Sequence, residues 1–149
     1  MRLRYLIPLA VVLLPSIAAA DSCEVAVSAA DGMAFDTRSI NVPASCETFT
    51  VNFEHKGRLP KGGMGHNWVL TKSADVNEVA KAGSAAGIAK DFLPDDDSRI
   101  VAATPLLGGG EQASVSFKTA DLSADDSYTF FCSFPGHWSM MRGSLQLVN

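Results

Sequence analysis

The stretch TFFCSFPGHWSMMRG, residues 129–143, sets one cysteine, one histidine and two methionines within ten residues. Thiolate and thioether are soft ligands and imidazole is borderline, a combination that suits copper rather than calcium or magnesium. Cys132, His137 and Met141 follow the spacing C-x4-H-x3-M. A site of this kind needs one more strong ligand. The other histidines are His55 and His66. His66 stands after the glycine-rich KGGMG and opens the apolar run NWVL, where a following strand would hold it rigidly. Two histidines, a cysteine and a weak axial methionine make up a blue-copper donor set. Other readings stay open for single residues. A lone cysteine is often a small buried hydrophobe. Cys132 with a histidine could be a nucleophile and its base, although no oxyanion motif accompanies them. Zinc accepts the same nitrogen and sulfur donors.

Elements of period two must position these residues. TFTVNF (48–53) puts Phe49, Val51 and Phe53 on one face, and ASVSFK (113–118) and SLQLVN (144–149) alternate in the same way. EVAVS (24–28), NWVLT (67–71), RIVAAT (99–104) and SYTFFC (127–132) also read as strands. Short alternating strands between Gly, Pro and Asp signals predict an all-β antiparallel sandwich. SADVNEVAKAGSAAG (73–87) breaks the pattern: Val76, Val79 and Ala80 have helical spacing, Ser73 or Asp75 could cap it and Gly87 could end it. It predicts one short inserted helix. DFLPDDDSR (91–99) and LLGGGEQ (106–112) read as turns, and the aspartates lack the spacing of a calcium loop.

The N-terminus has the form of a secretory leader: Arg2 and Arg4, a short apolar run broken by Pro8 and Pro15, then Ala18–Ala20. Residues 1–20 are expected to be removed, leaving 21–149 as one domain with no membrane span. Without Arg2 and Arg4 the formal charge of −4 becomes −6, which argues against nucleic acid as a partner. Export favours disulfides, and an odd cysteine count leaves one thiol over. A Cys23–Cys46 bridge would staple the N-terminal strand to the domain, contributing about 3 kcal/mol in the chain-entropy model. Cys132 would then be the free thiol.

GHNWVL together with FFCSFPGHWSMM resembles the azurin family of bacterial cupredoxins, and the likeness extends through SCETFTVNF, LPKGGMGHNWVL, LPDDDSRIVA and GGGEQASVSF. The resemblance implies a Greek-key cupredoxin sandwich holding one copper ion. It implies His66, Cys132 and His137 as strong ligands, Met141 as weak axial ligand and the Gly65 carbonyl opposite. Met140 is one position early, and neighbouring strand residues point oppositely. It also implies the Cys23–Cys46 pairing, Asn67 as the tie between the two ligand loops, and His55 as a neighbour that does not bind. The Phe134 amide is expected near the Cys132 sulfur, where Pro135 offers no N–H. Met33, Met64 and Pro135 would form an apolar patch around the His137 edge, which Trp138 either enlarges or leaves by folding back to pack as loop filler. The implied function is a periplasmic, monomeric electron carrier rather than an enzyme, docking transiently with partners such as c-type cytochromes or reductases. A copper-scavenging or copper-delivery protein is the alternative. Two residues depart from the family pattern: Trp138 replaces a small residue, and Ala103 stands where many members carry a surface histidine.

Overall fold

A computed structural model describes residues 22–149; the expected leader, 1–20, lies outside the described residues. Eight strands form two sheets. They are β1 (Glu24–Ala29), β2 (Ser39–Pro43), β3 (Thr48–His55), β4 (Val69–Lys72), β5 (Ile100–Ala103), β6 (Gln112–Lys118), β7 (Tyr128–Phe131) and β8 (Arg142–Val148). One sheet has the order β1-β3-β6 and the other β2-β8-β7-β4-β5. Period-two patterning does what it predicts: Phe49, Val51 and Phe53 are buried while Thr48 and Glu54 are exposed. These side chains meet Val27, Ile40, Trp68, Phe130 and Leu145 in one core.

The sandwich is mixed rather than purely antiparallel. β1 pairs β3 in parallel, and β2 pairs β8 in parallel. A parallel pair needs a crossover between its strands. Here β2 supplies it, because the chain leaves β1 for the opposite sheet before returning as β3. The stretch that forms β2, SINVP, gave no strand signal of its own. It is short and ends in Pro43, which an edge strand tolerates.

The inserted helix runs over Val76–Ala86 and buries Val76, Val79, Ala80 and Gly83. This face packs with Val69 and Phe131 as a second, smaller core. Gly87 ends the helix at φ 77° and donates its N–H to the Gly83 carbonyl. The expected N-cap bond is not made: Asp75 occupies the cap without a side-chain bond, and the Ser73 hydroxyl pairs with Thr129. A single turn, Lys61–Met64, precedes the strand that follows His66. Among the described residues no helix is long and apolar enough to cross a membrane.

Cys23 and Cys46 form a disulfide with a Cα–Cα distance of 5.6 Å. They precede β1 and β3, which run side by side, so the bridge ties the starts of a parallel pair. Replacing both cysteines by serine is expected to cost roughly 2–5 kcal/mol in chemical denaturation. The denatured, unreduced wild-type chain should titrate one free thiol; three would contradict the pairing.

Candidate metal centre

His66 is fixed from three sides. Its backbone exchanges two hydrogen bonds with Leu107, at 3.0 and 2.8 Å. Its Nε2 lies 2.9 Å from the Ala30 carbonyl, which can only accept, so Nε2 carries the proton and Nδ1 keeps a free lone pair. That Nδ1 faces the Cys132 sulfur at 3.8 Å. Gly65, just before it, has no room for a side chain: a Cβ would stand 2.4 Å from the Lys61 carbonyl oxygen. The Gly65 carbonyl lies 4.0 Å from the same sulfur.

Cys132 and His137 belong to a tight turn after β7. His137 N–H donates to Phe134 O at 3.0 Å, and Met141 N–H donates to His137 O at 2.8 Å. The turn closes where Cys132 N–H donates to Met141 O at 3.0 Å. Gly136 sits at φ 86°, which the turn requires. The result puts His137 Nδ1 3.6 Å from the sulfur. The three donor atoms of His66, Cys132 and His137 all lie within 4.8 Å of one another. Met141 is fully buried in the core with Cys132, whereas Met140 is 58% exposed.

Asn67 joins the two ligand-bearing segments. Its Oδ1 accepts from Ser133 N–H at 2.8 Å, and its Nδ2 donates to Ser133 Oγ at 2.8 Å and to Asp91 O at 3.0 Å. Behind His66 the buried His55 ring stacks at 4.6 Å. His55 cannot be a ligand in this arrangement, since Nε2 meets Met64 O at 2.8 Å and Nδ1 accepts from Gly57 N–H at 3.0 Å. On the other side the Phe134 ring stacks on His137 at 4.6 Å, and Phe92 meets Phe134 edge-on at 5.1 Å.

Two imidazole nitrogens and one sulfur converging in a buried place fit a soft or borderline cation. The family model described as "Copper binding proteins, plastocyanin/azurin family" matches residues 21–148. The chain belongs to the plastocyanin/azurin family of copper-binding proteins. It is 61% identical over 126 residues to azurin iso-2 of Methylomonas sp. (strain J), covering 85% of this chain and 98% of that one. It is 59% identical over 141 residues to the azurin of Methylobacillus flagellatus, covering 94% and 95%. The solved structure of the Methylomonas azurin Az-iso2 superposes with a TM-score of 0.84 at 60% identity, over 87% of this chain and 100% of that one.

Met33 and Pro135 are exposed and Met64 is half-buried. Trp138 is half-buried and packs against the helix-side core of Val69, Val76, Val79, Ala80 and Phe131, and the other departing residue, Ala103, packs on the same cluster. An indole with a vacant apolar face beneath it gains more by covering that face than by standing in water. Sequence reasoning also missed the Ala30 and Leu107 contacts. These are made by backbone atoms and leave no mark on residue type.

Burial pushes the Cys132 thiol up to about 12, partly offset by the Asn67 and Phe134 amides, which point at the sulfur. Burial lowers His66 to about 4 and lowers His137 as well. Both imidazoles are therefore neutral near pH 7, with lone pairs available, and only the thiol has a proton to release on binding a metal. In the metal-free protein these depressed values make stability pH-dependent. The unfolded chain protonates its histidines near pH 6.5, while folded His66 resists until about pH 4. Stability is full above pH 6.5 and falls as pH drops through that window, by about 3 kcal/mol for His66. Urea melts of the metal-free protein from pH 7 to pH 4.5 would measure it; a flat profile contradicts the buried neutral imidazole. Trp138→Ser should cost about 1–3 kcal/mol in the same assay while leaving the ligand set intact. Unchanged stability would contradict its packing role.

Proposed function

We propose that His66 Nδ1, Cys132 Sγ and His137 Nδ1 hold one copper ion, with the Met141 thioether as weak axial ligand and the Gly65 carbonyl opposite. The chain is a blue-copper electron carrier of its family. When bound, the copper supplies a one-electron couple between Cu(II) and Cu(I). The protein's part is to keep its donors still while the charge changes. His66 is locked by Leu107 and Ala30, and Asn67 binds its loop to the Cys132 loop. Of the two ligand histidines His66 is wholly covered and His137 keeps 4% exposure, so the His137 ring edge is the one through which electrons pass to a partner. Met33, Met64 and Pro135 surround that edge as an apolar docking patch, suited to small, quickly released encounters. Partners are redox proteins such as c-type cytochromes or reductases, met by a monomer. Residues 1–20 act as a leader that delivers 21–149 to the periplasm.

The observation that carries this reading is the convergence of three donor atoms with both histidine Nδ1 atoms turned toward one sulfur. A delivery protein should release its metal readily, and the buried, cross-tied donors oppose that. A nucleophilic role for Cys132 is opposed by its burial, which keeps the thiol protonated.

Adding Cu(II) to the metal-free protein should produce one intense visible thiolate-to-copper band per chain. Cys132→Ser should abolish that band even where copper still binds, because a hydroxyl cannot supply the charge transfer. An intensely blue serine variant would overturn the assignment. Met141→Leu should keep the colour and raise the reduction potential, since losing a weak axial donor favours Cu(I). Met140→Leu should change the potential far less. Voltammetry showing the larger change at position 140 would mean that the axial donor is Met140.

A further inference from the structure

The ligand loop carries two methionines, and the metal centre uses one. Met140 is the most exposed of the large apolar side chains that reach the surface among the described residues. It stands on an open groove of about 800 Å3 whose walls include Arg38, Arg142 and Ser139. No carboxylate lines this groove, while the four other grooves described on the surface each carry at least one. Lys56, Lys61, Lys72, Lys90 and Arg99 are each paired with a carboxylate. Arg38 and Arg142 are in no ion pair among the described residues. On a chain of net charge −4, two free guanidinium groups in one groove reverse the local sign.

The groove is also close to the metal centre along the chain. Met140 and Arg142 flank Met141, whose carbonyl accepts from Cys132 N–H at 3.0 Å. Arg142 is registered opposite Phe131, the residue before Cys132. Arg38 is held to the same strand by Ser144 N–H, which donates to its carbonyl at 3.0 Å.

We infer that this groove docks a carboxylate-bearing face of a redox partner protein, with Met140 as apolar anchor and Arg38 and Arg142 as forks for Asp or Glu side chains. Guanidinium groups grip carboxylates through two parallel hydrogen bonds. Arginine and methionine are both enriched at protein interfaces. The groove is far roomier than a single inorganic anion needs, and its exposed thioether has nothing to offer one. Charge of one sign beside the electron-transfer loop would also steer an acidic partner into contact. The inference rests on the electron-carrier reading only in calling the partner a redox protein.

The test uses the copper(I)-loaded, 15N-labelled protein at low salt and the blocked pentapeptide Glu-Glu-Leu-Glu-Glu as probe. NMR shifts should map to residues 38, 77 and 139–144. Arg38→Glu with Arg142→Glu should weaken binding about tenfold or more, and Met140→Ala should weaken it less. Arg58→Glu with Lys118→Glu, an equal charge change outside the groove, should leave the mapped site in place. The inference is overturned by the absence of shifts, by shifts centred on Arg58 or Lys118, or by equal losses in both double variants. It is likewise overturned if inorganic phosphate at equal ionic strength gives the same shifts, which would make the groove a small-anion site. Failure of the electron-carrier reading would appear separately, as a missing blue band in the unmodified protein.

Discussion

The three hydrogen bonds of one buried amide, Asn67, hold together two segments that are far apart in the chain. His66 and Cys132 come from opposite halves of the chain, and neither segment alone can present more than part of a donor set. The Asn67 bonds to Ser133 fix their separation, and its bond to Asp91 brings in the turn after the helix. The two bonds to Ser133 are out of reach of water, so neither is exchanged for a solvent contact when the surface fluctuates, and the bond to Asp91 is partly buried. The rigidity needed for rapid electron transfer therefore comes from polar contacts at a depth where leaving them unmade would be costly.

The sandwich serves this arrangement by making that depth available. The larger sheet places β4 and β7 next to each other, so the residues that precede β4 and follow β7 emerge at the same end. His66, Asn67, Cys132 and Ser133 all sit at that end, each fully buried. Burial then decides their protonation. It keeps the imidazoles neutral and the thiol protonated until a cation replaces the proton, so the donor set is prepared for a metal before one arrives.

Much of this could be read from the sequence, and the limits have physical causes. Cys132, His137 and Met141 were legible because they share one loop, where spacing is geometry. The choice of Met141 over Met140 rests on the family resemblance, since alternation says only that the two side chains point oppositely; the structure buries the one and exposes the other. The strands with clean alternation were found, while β2 was not, because five residues ending in proline carry too little pattern. The parallel pairings were invisible, since period two says which face is buried but not which strand lies alongside. For Trp138, position next to a ligand leaves both a docking and a packing role open; how far it turns inward depends on the helix beneath it, contributed by a segment more than fifty residues earlier.

Gly83 lies inside the helix, well away from the donor atoms in sequence. A Cβ there would stand 2.2 Å from the carbonyl oxygen of Phe92. Phe92 cannot easily yield, because it and Asp91 already hold left-handed backbone angles, both at φ 55°. Its ring leans on Phe134, and Phe134 lies on the face of His137. Sequence drift at this one helical position is thus confined by the electron port itself. A change as mild as alanine, which any helix would welcome, must be absorbed by a row of aromatic rings ending at His137.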